Sequence, residues 1–324
     1  MANRAEVVQN QAVLQSQSMQ PGARVLISAM VWSAGEPQLR LRCDGKASEL
    51  VDATGIELVY AHPSAGPMRR CVGHKPFREP TTPWVDCDTP PLAGARTCDR
   101  CTAIDATFAS QLHHAHNLGT GEIDTAVRAH LEKPNVAYLA GFRDGSIKIG
   151  TSTAPRLETR LLEQGAWLAT TVALATNGFA VRMLEDLITS ELGLPQSVTA
   201  TRKLRGLTDP RPDDSLVTKL AQWTQGVHRL IGELNDDRLN AANTEWMNPN
   251  ASDESWSRVH PYPQRLDRGA HAFVIDKACG RAILLRRPGG TDSFVADIGQ
   301  LFGVECTIGD DVVPDELTVQ DSLF

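Results

Sequence analysis

The chain has 324 residues, 41% of them hydrophobic and 22% charged, with a formal net charge of −7. That length holds two or three compact units, each with its own core, and the composition is that of an ordinary soluble globular protein. The acidic balance excludes a general polyanion-coating protein, and no apolar run approaches the ~20 residues that span a bilayer.

Residues 1–21 are glutamine-rich and too weakly patterned for a stable helix, so a flexible tail is expected there. No apolar signal core appears in this stretch, which leads to the expectation of a cytoplasmic protein. Residues 22–68 turn to strands: Val25 to Trp32, Gln38 to Cys43 and Ile56 to Ala61 are apolar or alternating runs separated by turn residues. They predict a small antiparallel β unit, with Cys43 as an ordinary small core residue.

Residues 69–103 change character. This segment is rich in proline and charge, poor in aliphatics, and carries Cys71, Cys87, Cys98 and Cys101. It cannot bury enough apolar surface to hold itself together, so a cross-linking metal is physically attractive. Cys98-x-x-Cys101 has the spacing of a two-ligand zinc knuckle, while Cys71 and Cys87 are spaced more widely. The four thiols are read as a structural Zn²⁺ site, with His74 as a substitute ligand and unligated thiols as the bland alternative. Residues 104–134 predict two connecting helices, Ile104 to His116 and Glu122 to Glu132. His113, His114 and His116 do not face one another at that spacing, which favours surface or capping roles over a metal site.

Residues 135–210 form the most strongly patterned stretch. Val136 to Phe142 and Ser146 to Thr151 flank Asp144-Gly145, a strong hairpin signal. A helix follows, with Pro155 in its first turn, a stripe of Leu157, Leu161 and Leu162, and Gln164-Gly165 as its stop. A third strand (Thr171 to Ala175) leads to a longer helix with Ala180, Met183, Leu184, Leu187 and Ile188 at helical spacing. Arg202, Lys203 and Arg205 then make a basic run. Residues 211–250 are expected to be a helix striped by Leu216, Leu220, Trp223, Val227, Leu230 and Ile231, followed by a linker. Residues 251–324 are expected to form a C-terminal β unit in which Cys279 and Cys306 have no role.

Tyr138 in the first core strand, Lys148-Ile149-Gly150 in the second, Arg160 on the first helix and Glu185 on the second resemble the GIY-YIG nuclease superfamily, in its variants with KIG in place of YIG. Ala137-Tyr138-Leu139-Ala140, Lys148 to Thr151, Arg160 and Glu163-Gln164-Gly165-Ala166 together resemble a bacterial family of unknown function that pairs a cysteine-rich module with such a core. The implied fold is α+β, a hairpin–helix–strand–helix core with a zinc-binding cysteine module and small flanking β units. The implied chemistry is phosphodiester hydrolysis of DNA or RNA. Tyr138 and Lys148 would line the site, Arg160 would contact phosphate, and Glu185 would hold Mg²⁺ or Mn²⁺, a hard carboxylate for a hard cation.

Each residue also has a plainer role. Tyr138 suits a half-buried strand and Lys148 a sheet edge. Arg160 could merely pair with Glu163, Arg156 competes with it, and Glu185 beside Arg182 could lie on a solvated face. Lysine where better-known nucleases carry tyrosine removes the usual water-assisting group. Register is a second test. A two-residue turn at Asp144-Gly145 would pair Tyr138 with Thr151 and send Tyr138 and Lys148 to opposite faces, whereas a three-residue loop or bulge would unite them. Two other functions stay open: a non-catalytic nucleic-acid binder using the cysteine module and the Arg202–Arg205 run, and a small-molecule enzyme reusing the pocket.

Overall fold

The computed structural model describes residues 20–63, 66–75, 83–118, 123–257, 259–309 and 312–314. The expected N-terminal tail lies outside these except for its last two residues. Among the described residues the chain is mixed α+β, and no helix is long and apolar enough to cross a membrane.

Two sheets organise it. The smaller contains β6 (Asn135–Gly141), β7 (Ile147–Thr153), β8 (Leu168–Ala175) and β9 (Leu239–Met247), all antiparallel, in the order β7-β6-β8-β9. All of β6 is buried, because it lies inside the sheet with both faces covered. Between β7 and β8 runs α3 (Leu157–Gln164), after α1 (Asp99–His113) and α2 (Thr125–Leu131) earlier in the chain. Gly165 caps α3 with a φ of 66°, the left-handed stop that Gln164-Gly165 predicts. After β8 come α4 (Gly178–Leu192), α5 (Ala200–Thr208) and α6 (Asp213–Leu234). Ala180, Leu184 and Ile188 of α4 and Leu216, Leu220, Val227 and Ile231 of α6 join one apolar cluster with Leu139, Ile149 and Val172 of the sheet. The hairpin–helix–strand–helix order is thus present.

The larger sheet corrects the expected domain plan. The strands of residues 22–68 are β1 (Arg24–Ser33), β2 (Glu36–Cys43), β3 (Glu49–Asp52), β4 (Glu57–Ala61) and β5 (Met68–Arg69). Those of residues 251–324 are β10 (His260–Pro261), β11 (Ala270–Cys279), β12 (Ala282–Arg286), β13 (Ser293–Asp297) and β14 (Val304–Ile308). They do not form separate units. They share one ten-stranded sheet, ordered β10-β13-β12-β11-β4-β14-β1-β2-β3, with β5 on β14. β4 inserts between β11 and β14, and β14 pairs with β1, so each half covers a sheet edge that the other would leave open. Helix α3 ties this sheet to the smaller one: Leu162 packs in the large-sheet core, Leu161 beside Tyr138. The Gly165 backbone also meets the Cys279-Gly280 turn so closely that a Cβ on either glycine would clash.

Candidate functional site

The hairpin register brings the two strand residues together. Tyr138 pairs with Gly150 and Ala140 with Lys148, so Tyr138 and Lys148 face the same side. The turn achieves this with a three-residue loop. The Phe142 N–H donates to the Ser146 carbonyl at 2.9 Å, the Gly145 N–H donates to the Phe142 carbonyl at 2.8 Å, and Gly145 takes a φ of 79°. Asp144 accepts from the Ser146 N–H at 3.0 Å and pairs with Arg202 at 2.9 Å. Gly150 has a second function. A Cβ there would lie 2.7 Å from the Tyr138 ring and hydroxyl, so the glycine of Lys-Ile-Gly makes room for the tyrosine.

Tyr138 is fully buried, and its hydroxyl accepts from Gln164 Nε2 at 2.6 Å. Burial holds its phenol above its ordinary range, with Gln164 and Arg160 pulling the other way and Glu185 adding to the rise. Lys148 is 8% exposed and donates from Nζ to the Gln196 carbonyl at 3.1 Å. Burial, with Arg160 and Lys203 adding to it and Glu185 opposing them, brings its amine down to about 8. Glu185 is 5% exposed, not on a solvated face, and accepts from Arg182 at 2.7 Å. Arg160 lies half-exposed above them. It shares Glu163 with Arg156, at 3.4 and 3.2 Å. The four predicted residues therefore occupy one neighbourhood, in which the charges of Arg160 and Glu185 act on both Tyr138 and Lys148.

Three further residues, visible in the sequence but given no task at this site, contribute to it. Gln164, read as a helix stop and as part of the Glu163–Ala166 run, donates to the phenol oxygen. Lys203 donates to the Gln164 carbonyl at 2.8 Å, lies over the Phe142 ring at 4.6 Å, and is brought by burial down to about 8. Arg182 occupies the carboxylate assigned to a divalent cation. Arg202 pairs with Asp144 of the hairpin turn while its side chain stays 61% exposed, and Lys203 turns inward onto the Gln164 carbonyl and the Phe142 ring. A cavity of about 270 Å³ opens beside Gln164, walled by Lys203, Arg281, Glu163 and Asp297.

The cysteine module lies close by. The Sγ atoms of Cys71, Cys87, Cys98 and Cys101 all fall within 4.8 Å of one another, and three of the four residues are buried. Cys87 and Cys98 are 3.8 Å apart, which is about the sulfur–sulfur edge of a tetrahedron with ~2.3 Å bonds to zinc. Backbone N–H groups of Gly73 and Cys98 point at Cys71 Sγ, at 3.4 and 3.3 Å, in the manner of a thiolate knuckle. A backbone hydrogen bond brings Cys98 down to about 7, despite opposing burial. Cys98 precedes α1, and Cys101 sits in its first turn, so the helix starts earlier than the expected Ile104. His74 Nδ1 lies 3.2 Å from Cys101 Sγ, as a neighbour of the four thiols and not a replacement for one. The four cysteines could hold a metal ion such as zinc. Beside His74, the Lys75 amine is lowered by burial, Arg156 and Arg40 and raised by Glu163.

No known family matches the chain, and no curated protein or solved structure does so either.

Proposed function

We propose that the chain hydrolyses phosphodiester bonds of DNA or RNA at the cluster of Tyr138, Lys148, Arg160 and Glu185, in the manner of the GIY-YIG nucleases that its core resembles. The supporting observation is that a lysine and a glutamate, both more than nine-tenths buried, share one neighbourhood with Tyr138 and a half-exposed arginine. Burying such groups is costly, and arrangements of this kind concentrate at functional sites.

Each residue has a defined task. Arg160 meets the phosphate from the solvent side, where its planar fork matches two oxygens and offsets charge that builds on them. Lys148, at about 8, is poised to take a proton from an attacking water near neutral pH, and the Gln196 carbonyl fixes its Nζ. Gln164 donates to the Tyr138 hydroxyl oxygen and so leaves its O–H free to face the phosphate. A single carboxylate suits Mg²⁺ or Mn²⁺, which take their remaining ligands from water and substrate phosphate; such a cation would neutralise the phosphate at Glu185. Arg182 would have to yield part of that carboxylate.

The same Arg182 contact, at 2.7 Å, favours a second reading in which the cluster holds a phosphate without cutting it. Assays of labelled DNA and RNA, single- and double-stranded, with Mg²⁺ or Mn²⁺ separate the two. Hydrolysis predicts metal-dependent cutting that falls at least about a hundredfold in both Arg160→Ala and Glu185→Gln, the usual scale for one transition-state contact. Salt-sensitive binding without cutting, unchanged by Glu185→Gln, would replace hydrolysis with the second reading. The four thiols, for their part, are proposed to hold a structural Zn²⁺, since four protein ligands leave no open position for chemistry.

A further inference from the structure

The far side of the smaller sheet carries a separate cavity. Pairing with β6 puts Ala169 and Thr171 on the Tyr138 face, so Leu168 and Thr170 look the other way, toward α6. There α6 crosses β8 and β9 and leaves a cavity of about 360 Å³, within the range of small-molecule sites. Leu168 pairs with Met247 and Thr170 with Glu245, which extends this wall onto β9.

The lining is apolar with acceptors and a negative charge. Leu168, Leu220 and Ala221 form its body, and Val217 and Met247, 50% and 61% exposed, form an apolar rim. Thr224 lines it too, and its buried hydroxyl has no partner among the described residues. His228 Nε2 lies 2.8 Å from the Ala242 carbonyl, which can only accept, so Nε2 carries a proton and donates. Glu245 is exposed on the wall, no ion pair reaches it among the described residues, and no lysine or arginine lines the cavity.

We propose that this cavity binds a small organic cation, an amine on an apolar body, with the ammonium at Glu245 and the body between Leu168, Leu220 and Ala221. The preference is opposite to that of the Lys148–Arg160 neighbourhood, and it does not depend on phosphodiester chemistry there.

Tryptamine, with indole-3-propionate as its near-isosteric anion, tests this by titration calorimetry on the full chain. Tryptamine is expected to bind saturably with one site and the acid not to bind. Glu245→Gln should weaken tryptamine about fivefold, the upper end for a solvent-exposed charge pair. Ala221→Trp, a substitution on the exposed side of α6, should remove binding while circular dichroism stays unchanged. Should that variant fail to fold, Glu245→Lys serves instead and is expected to weaken tryptamine about twenty-five-fold, the lost attraction plus an equal repulsion. Absence of saturable tryptamine binding, equal binding of the acid, or binding untouched by the folded cavity variant would overturn the proposal.

Discussion

The cysteine module and the hairpin core use burial in opposite ways. In the module, Cys71, Cys98 and Cys101, with Cys87 beside them, make up the buried cluster among the described residues, and no described aliphatic side chain joins it. In the core, Leu139, Ile149, Val172, Leu184 and Leu220 belong to a large apolar cluster that stands without polar help. Four sulfur atoms that could share a metal ion make up the described buried part of the first region, whereas in the second an apolar scaffold encloses polar groups. Lys148 and Glu185 are buried because the scaffold around them is stable enough to bear the cost.

The largest expected effect breaks the module alone. Metal analysis of the purified chain should give about one zinc per chain. Cys101→Ser should reduce this by at least about tenfold, since a structural zinc contributes on the order of 10 kcal/mol to folding its own site. Limited proteolysis should then cut between residues 69 and 103 and leave the four-stranded core resistant. A well-folded wild-type chain without metal would show that the thiols pack as an ordinary small core, and the contrast between the regions would vanish.

A substitution at Gly150 tests the scaffold. Its absent Cβ is the space taken by the Tyr138 ring, and that ring is fully buried against Leu161 and Ala169. Gly150→Val should cost about 3 kcal/mol, the upper range for overpacking a closed core, read as a lower midpoint in denaturant. An unchanged midpoint would mean that the hairpin can shift away from the tyrosine, and that its register is less fixed than the pairing implies.

What the sequence disclosed follows the same division. The hairpin, α3 and α4 were legible because their apolar residues recur at strand and helix spacing, and the cysteine spacing picked out the four thiols that come together. Strand β9 was not legible. Leu239–Met247 is an edge strand that is mostly exposed, so it carries no apolar alternation and looks like linker. In the basic run at 202–205, no spacing signalled that Lys203 turns inward onto the Gln164 carbonyl while Arg202 stays exposed and pairs with Asp144. Nor could local patterning reveal that residues 22–68 and 251–324 share a sheet, because pairing across some 200 residues leaves no periodic trace. At the site, the three-residue loop mattered most: Asp144-Gly145 fits either loop length, and only the longer one puts Tyr138 and Lys148 on one face.

The smallest expected effect separates stability from function in the core. A lysine amine ordinarily titrates near 10.5, and burial brings that of Lys148 to about 8. Below pH 8 the amine is charged in both folded and unfolded chains, so the folded state bears the full cost of its burial, on the order of 3 kcal/mol. Between pH 8 and 10.5 the unfolded chain binds the extra proton, so stability from this group rises with pH. Above 10.5 both states are neutral and the cost is gone. Lys148→Met should therefore stabilise the chain by about 2 kcal/mol at pH 7, once the lost bond to the Gln196 carbonyl is allowed about 1 kcal/mol. That gain should shrink above pH 8, pass through zero and become a loss of about 1 kcal/mol, the bond to the Gln196 carbonyl alone, as the pH reaches 10.5, in parallel denaturation series of wild type and variant. Phosphate-directed activity should be lost in the same variant. A chain that becomes more stable while it stops working would identify Lys148 as a residue kept for its chemistry, at odds with the scaffold that encloses it. A variant that is destabilised at every pH would make Lys148 part of the packing, and the division between scaffold and chemistry would have to be redrawn one strand away.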